Sequence, residues 1–327
     1  MKSKYKNLVF SGGGVLGIAY IGCLQYLYEK DLIFSLQNLA GTSAGAITAC
    51  LTSFNLPFEE LHKLLDSLDY TKIPVKDEMP DHRIIPQYIK TQIGKVFDNV
   101  DCVYRLIKSF GWYSSDYIYD WLKKCIASHF DSSKKLPPYT FADFADPSLH
   151  VDGRPFKNLY VLGTDISSTS SCVFSYETTP DMEVAEAVRI SMSVPLLFES
   201  IKSNCNCSNS DNERIYIDGG MLYNYPLTLF DNQYPLEETL GICFSPTPKP
   251  TKIENIVDFI SCALSCSGIV QHKLFLSSPD NIKRTISIPT ADVSAFDFNI
   301  RPGDPTHQFL CDQGYQAAEI YFSLLNV

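Results

Sequence analysis

The pentapeptide Gly41-Thr42-Ser43-Ala44-Gly45 constrains this chain more than any other stretch, because it lies between an apolar run at residues 32–40 and a small-residue segment at residues 46–51. A strand, a sharp turn and a helix are predicted there. In such an elbow the serine occupies a strained backbone conformation with its hydroxyl outward, and the flanking Gly41 and Gly45 let strand and helix pass without a Cβ clash. Ser43 is thereby presented as a candidate nucleophile. The competing reading is a plain Gly-Ser turn, since five residues with three specified recur by chance in unrelated chains.

Two further features favour the nucleophile. Upstream, Leu8-Val9-Phe10 reads as a strand running into Ser11-Gly12-Gly13-Gly14-Val15-Leu16-Gly17, with a helix expected over about residues 18–29. Downstream, Arg214-Ile215-Tyr216-Ile217 reads as a strand that ends in Asp218-Gly219-Gly220, a carboxylate delivered by a flexible turn. A serine hydroxyl is a weak nucleophile until a base takes its proton, and the tetrahedral intermediate needs donors for its oxyanion. The backbone N–H groups of Gly12, Gly13 and Gly14, unobstructed by side chains and facing a helix start, are the candidate donors, with the Ala44 N–H a further one. At a reference pKa of about 3.9, Asp218 is expected to be ionised at neutral pH.

The six histidines are His62, His82, His129, His150, His272 and His307. A Ser, Asp, His order would fit Ser43, Asp218 and either His272 or His307. Neither follows a glycine-marked strand end, and both accompany helical patterns (residues 253–270 and 308–325), so surface or capping roles are expected. The elbow also comes after only one strand and one helix, earlier than the ordinary α/β-hydrolase plan puts it.

In order and spacing, Gly12-Gly13-Gly14-Val15-Leu16-Gly17, Gly41-Thr42-Ser43-Ala44-Gly45 and Asp218-Gly219-Gly220 resemble the three signatures of patatin-like phospholipases. Thr164-Asp165-Ile166, the run from Arg189 through Ser191, Ser193 and Pro195 to Phe198, and Asn224 with Pro226 extend the resemblance over about residues 7–230. It implies a Ser43/Asp218 dyad without histidine that acts on ester bonds of membrane lipids. One departure stands out: Leu16 occupies the place where the family's glycine loop carries a basic residue. The oxyanion donors are backbone groups, so catalysis is expected to survive, with weaker anchoring of a lipid phosphate. The glycine loop also satisfies G-x-G-x-x-G, but the second strand ends at Leu39-Ala40-Gly41 with no acidic residue for a ribose, which argues against a dinucleotide.

The fold expected is α/β: one patatin-like domain over residues 1–327, with a largely parallel sheet wrapped by helices on both faces and the site at the strands' carboxyl ends. A chain 45% hydrophobic and 20% charged supports a large core. The α/β rhythm lapses over about residues 70–138, read as a helical cap in which Phe110, Trp112 and Tyr113 either pack or touch lipid. A strand and helices are expected over about residues 240–327. The net charge of -10 disfavours nucleic acid. Lys123, Lys124, Lys134 and Lys135 are read as a solvated face rather than a docking patch. Residues 8–28 carry no charge, yet five glycines interrupt them, which suits core structure better than a signal peptide or membrane span. The 11 cysteines, odd in number and without C-x-x-C spacing, suggest neither a disulfide framework nor a metal site, and point to reduced cytosol, of the producing cell or of a host, with peripheral contact to membranes. The sequence therefore predicts a lipid acyl hydrolase without cofactor or metal, whose partners are membrane phospholipids or other acyl lipids; it leaves open an activating protein partner. The alternatives are a catalytically weak or inactive patatin-like lipid-binding scaffold and a Ser/His/Asp esterase.

Overall fold

The computed structural model describes residues 4–73, 100–203, 213–245, 250, 252–253 and 256–325. Pro74, Pro80, Pro86 and His82 of the expected cap, together with Cys205 and Cys207, lie outside them.

Strands β1 (Asn7–Phe10), β2 (Asn38–Thr42), β4 (Asn158–Asp165), β9 (Thr239–Ser245) and β10 (Thr285–Pro289) form the parallel part of one sheet, in the order β10-β9-β1-β2-β4. β5 (Ser170–Phe174) and β8 (Arg214–Asp218) both pair antiparallel with β4, and β7 (Ile201–Ser203) closes the edge against β8. β3 (Gly111–Tyr113) pairs with β6 (Leu196–Phe198) in a separate ribbon. The central strands read as continuous apolar runs because both faces are covered. Alternation divides them: Leu8, Phe10, Leu39 and Val161 enter the large core, while Val9, Ala40 and Tyr160 face a smaller cluster around Phe230. A short 3-10 turn, Leu227–Phe230, covers that second face.

The large core gathers side chains from α1 (Ala19–Glu29), α2 (Ala44–Ser53), α3 (Phe58–Asp66), α5 (Asp116–Ala127), α7 (Val184–Ser191) and the last helix, α11 (Pro305–Leu325). The remaining helices are α4 (Val100–Ser109), α6 (Phe141–Phe144), α8 (Gly220–Tyr223), α9 (Ile256–Leu276) and α10 (Pro279–Lys283). Glycines set how closely α1 and α11 approach. A Cβ at Gly22 would stand 1.8 Å from the Cys311 carbonyl oxygen, and one at Gly314 1.8 Å from that of Ala19. The uncharged segment at residues 8–28 is thus strand, turn and buried helix. No helix among the described residues is long and apolar enough to cross a membrane.

Of the expected cap, the described residues 111–127 pack against the body. Trp112 and Tyr113 are half-buried in β3, with Tyr113 against Phe198; Phe110 is exposed with φ 59°. Arg189 fastens α5 to α7, donating to Ser115 Oγ at 2.7 Å and Asp116 Oδ1 at 2.6 Å. Lys123, Lys134 and Lys135 pair with Asp120, Asp131 and Asp143, as a solvated face would.

Candidate active site

Register brings the elbow and the carboxylate together. Thr42, the last residue of β2, pairs with Leu162 of β4, and the next residue of β4, Gly163, pairs with Asp218. Asp218 therefore stands level with Ser43 across a single strand. β8 runs antiparallel to β4, so it enters the sheet from the elbow side and stops as soon as it reaches that level. The Ser43 hydroxyl lies beside the Asp218 carboxyl.

Ser43 holds φ 54° and ψ -124°, a conformation a non-glycine residue rarely adopts. Close packing around it leaves room for nothing but glycine: a Cβ at Gly41 would lie 2.1 Å from the Gly45 carbonyl oxygen, and one at Gly45 2.6 Å from that of Phe10. The run after Arg189 fixes both partners by their backbones. Ser43 N–H donates to Ser191 Oγ at 2.9 Å, and Asp218 N–H donates to the Ser193 carbonyl at 2.9 Å. Gly219 packs with its Cα facing the Leu162 carbonyl, 2.4 Å from where a Cβ would stand, and Gly220 N–H donates to Asp218 Oδ1 at 2.5 Å.

Asp218 is buried, and burial pushes its pKa up to about 7 against the opposing hydrogen bonds from Ser43 and Gly220. The expectation of a plainly ionised aspartate is corrected here, because no cation among the described residues pairs with it to offset lost hydration. A group poised near neutrality serves proton transfer well.

The glycine loop leaves β1 and passes beside the elbow, steadied by Tyr20, whose hydroxyl donates to the Ser11 carbonyl at 2.5 Å. Gly12 departs from expectation: its N–H donates to the Asn224 carbonyl at 2.9 Å, which takes it out of the candidate oxyanion set. Among the described residues, the N–H groups of Gly13, Gly14 and Ala44 have no protein acceptor. Gly14 is left-handed at φ 56°, and a Cβ there would sit 2.1 Å from the Ala295 carbonyl oxygen. A 3-10 turn, Gly14–Ile18, joins the loop to α1, which runs over Ala19–Glu29, close to the expected 18–29.

A cavity of about 1270 Å³ opens from Ser43, Asp218 and the glycine loop. Apolar side chains such as Ile47, Leu65, Ile118, Trp121 and Phe298 line it. Leu16 is buried in this wall. His272 and His307 line the cavity as well, and neither is bonded to Ser43. His307 pairs with Asp66 at 3.3 Å; His272 Nε2 is buried without a partner, and burial lowers its pKa. Asp165, the second strand-end carboxylate, is tied to Arg214 and Ser168 away from Ser43. Three contributors were not visible as such in the sequence: Asn224 on the loop, Gln271 on α9, which donates to the Gly220 carbonyl at 2.9 Å, and the Asp66/His307 pair. Only Asn224 had left a signal, in its N-x-P spacing after the Asp218 turn.

A family model described as patatin-like phospholipase matches residues 8–231. The chain belongs to the patatin-like phospholipase family. It is 29% identical over 302 residues to the uncharacterized protein YqhO of Bacillus subtilis, a match spanning 90% of this chain and 91% of that protein. It is 27% identical over 228 residues to the probable lipid hydrolase 463L of Invertebrate iridescent virus 6, covering 69% of this chain and 63% of the viral one. Among solved structures, VipD from Legionella pneumophila superposes with a TM-score of 0.59 at 21% identity, over 98% of this chain and 67% of VipD. That likeness concerns the fold, a largely parallel sheet flanked by helices.

Proposed function

We propose that this patatin-like protein is a lipid acyl hydrolase that cleaves fatty-acyl esters through a Ser43/Asp218 dyad. The observation that carries the reading is the Ser43 hydroxyl beside a buried Asp218 at the head of a large apolar cavity. The ester carbonyl lies against Ser43 with its acyl chain in the cavity. Asp218 accepts the hydroxyl proton as Ser43 Oγ attacks, and the Gly13, Gly14 and Ala44 N–H groups receive the oxyanion. Collapse expels the alcohol, which takes the proton back from Asp218; water, deprotonated by Asp218, then releases the fatty acid from the acyl-serine.

A membrane phospholipid fits the family name, and an acyl lipid more broadly fits its lipid-hydrolase relatives. Leu16 supplies no charge for a phosphate, so the acyl chain carries most of the recognition; Leu16→Arg is expected to lower turnover of phospholipid vesicles. A Ser/His/Asp triad is disfavoured by His307 being engaged with Asp66 and by Asp218 lying beside Ser43. The scaffold reading is disfavoured by the intact Ser43 and Asp218. A fluorophosphonate probe tests the proposal: covalent labelling that Ser43→Ala abolishes is expected, with free fatty acid released from mixed phospholipid vesicles. Labelling absent from the native protein, or turnover retained in Asp218→Ala and lost in His272→Ala or His307→Ala, would overturn it.

A further inference from the structure

Helix α9 (Ile256–Leu276) has an exposed apolar outer face. From Phe259 to Gln271 it contains no Asp, Glu, Lys, Arg or His. Phe259, Cys266, Val270 and Leu274 recur at helical spacing along one exposed side, with Phe259 57%, Val270 58% and Leu274 69% accessible. An apolar stripe of this length on a water-facing helix marks a contact surface.

The same helix contributes Cys262, Ile269 and His272 to the lining of the cavity that opens at Ser43, and Cys266 and Leu274 of the exposed side, with Lys273, border that cavity as well. Leu222, four residues after Asp218, lines that cavity and is itself 48% exposed, so apolar surface continues from α9 to the site. At the far end of the stripe the exposed Lys273 adds a cation, as at the rim of helices that lie in a headgroup layer. A lipid passing from such a layer into the cavity along this surface keeps its chain out of water.

The inward side of α9 is bonded to the catalytic turn. Gln271 Nε2 donates to the carbonyls of Gly220 at 2.9 Å and Met221 at 3.1 Å, and Gln271 Oε1 accepts the Asn224 N–H at 2.8 Å. Asn224 in turn accepts the Gly12 N–H at its own carbonyl and donates its side-chain amide to the Gly12 carbonyl at 3.3 Å. One side chain thus joins α9 to the Asp218 turn and, through Asn224, to the glycine loop.

We propose that the outer face of α9 is the surface by which this protein docks on a lipid layer, and that Gln271 is the positioning residue that joins the docked helix to the Asp218 turn. The proposal rests on the lipid-ester reading given above. Phe259→Glu/Val270→Glu places two charges on the face at sites that do not line the cavity. Sedimentation with phosphatidylcholine vesicles, done in a Ser43→Ala background so that nothing is consumed, is expected to show binding at least tenfold weaker. Hydrolysis of the same vesicles should fall at least tenfold, while turnover of a monomeric short-chain ester stays within twofold. Vesicle binding undiminished by the two charges would overturn the docking surface, as would a native dimer that the variant dissociates without loss of vesicle binding. Gln271→Leu is expected to lower kcat on the monomeric ester at least tenfold with KM and vesicle binding unchanged; an unaltered kcat would overturn the coupling. A native protein that sediments with vesicles but hydrolyses neither vesicle nor monomeric ester would refute the hydrolase reading and leave the docking surface standing.

Discussion

Asp165 and Asp218 lie two residue levels apart in one antiparallel strand pair, where Asp165 faces Tyr216 and Gly163 faces Asp218. Both are almost fully buried, at 0% and 5% exposure. Burial pushes each carboxyl up, yet Asp165 ends below the usual carboxylate range because the Arg214 guanidinium, the Ser168 hydroxyl and the Ser167 and Ser168 N–H groups outweigh it. Asp218 has one hydroxyl and one N–H, and rises to about 7. The pair teaches that partners rather than depth separate a structural carboxylate from one that can exchange a proton near neutrality.

The largest effects should come from the Asp218 side. Ser43→Ala and Asp218→Ala are each expected to lower ester turnover by at least about 1,000-fold, because the two groups act as one unit. Loss in only one of them would break the dyad. On the other side, Arg214→Met leaves a buried Asp165 without its cation and is expected to lower stability in denaturant unfolding, with turnover per folded molecule unchanged. If Arg214→Met instead abolished turnover at full stability, the division of labour between the two carboxylates would be wrong.

Much of this contrast was legible in the sequence, and the rest was not for a stated reason. Glycines that mark close approach and turns are local signals, so the loop at Gly12 to Gly14, the elbow at Ser43 and the turn after Asp218 could be read directly. The strand and helix at each of them followed from apolar runs. Direction is different: nothing in Arg214-Ile215-Tyr216-Ile217 says that it enters the sheet antiparallel, because that depends on the path of the chain around residues far away. The same holds for the Gly12 N–H, spent on Asn224 more than 200 residues on, and for Gln271, a polar residue in an uncharged stretch of helix whose partners on the Asp218 turn and at Asn224 are non-local. The proton affinity of Asp218 needed the absence of a cation in three dimensions, which composition cannot report.

A pH series sharpens the comparison further. Since the native pKa of Asp218 lies above its unfolded value, the native state binds its proton more tightly. Stability from this group is therefore full below about pH 4 and is lost as pH rises through about 7. Asp218→Asn removes that dependence, so its stability relative to the native sequence should gain about 2–3 kcal/mol between pH 5 and pH 8. Asp165 has the opposite sign: its folded pKa is depressed, its contribution is present above the unfolded pKa and is lost as pH falls through the folded one, so Asp165→Asn should show no such gain. In the same window kcat/KM of the native enzyme should climb with an apparent pKa near 7; a flat profile from pH 5 to 8 would mean that Asp218 is ionised throughout and is not the titrating base.

The smallest effect separates the two sites one hydroxyl at a time. Ser168→Ala removes a donor that Asp165 can lose, because Arg214 and two N–H groups remain; it is expected to cost about 1 kcal/mol with activity intact. Ser43→Ala removes half of what Asp218 has. The carboxyl should then titrate higher still, moving the alkaline loss of stability to higher pH, an effect that follows chemical unfolding and needs no substrate. Equal shifts in the two variants would mean that the carboxylates share one environment, whereas a shift confined to Ser43→Ala follows from a base whose principal partner is the nucleophile itself.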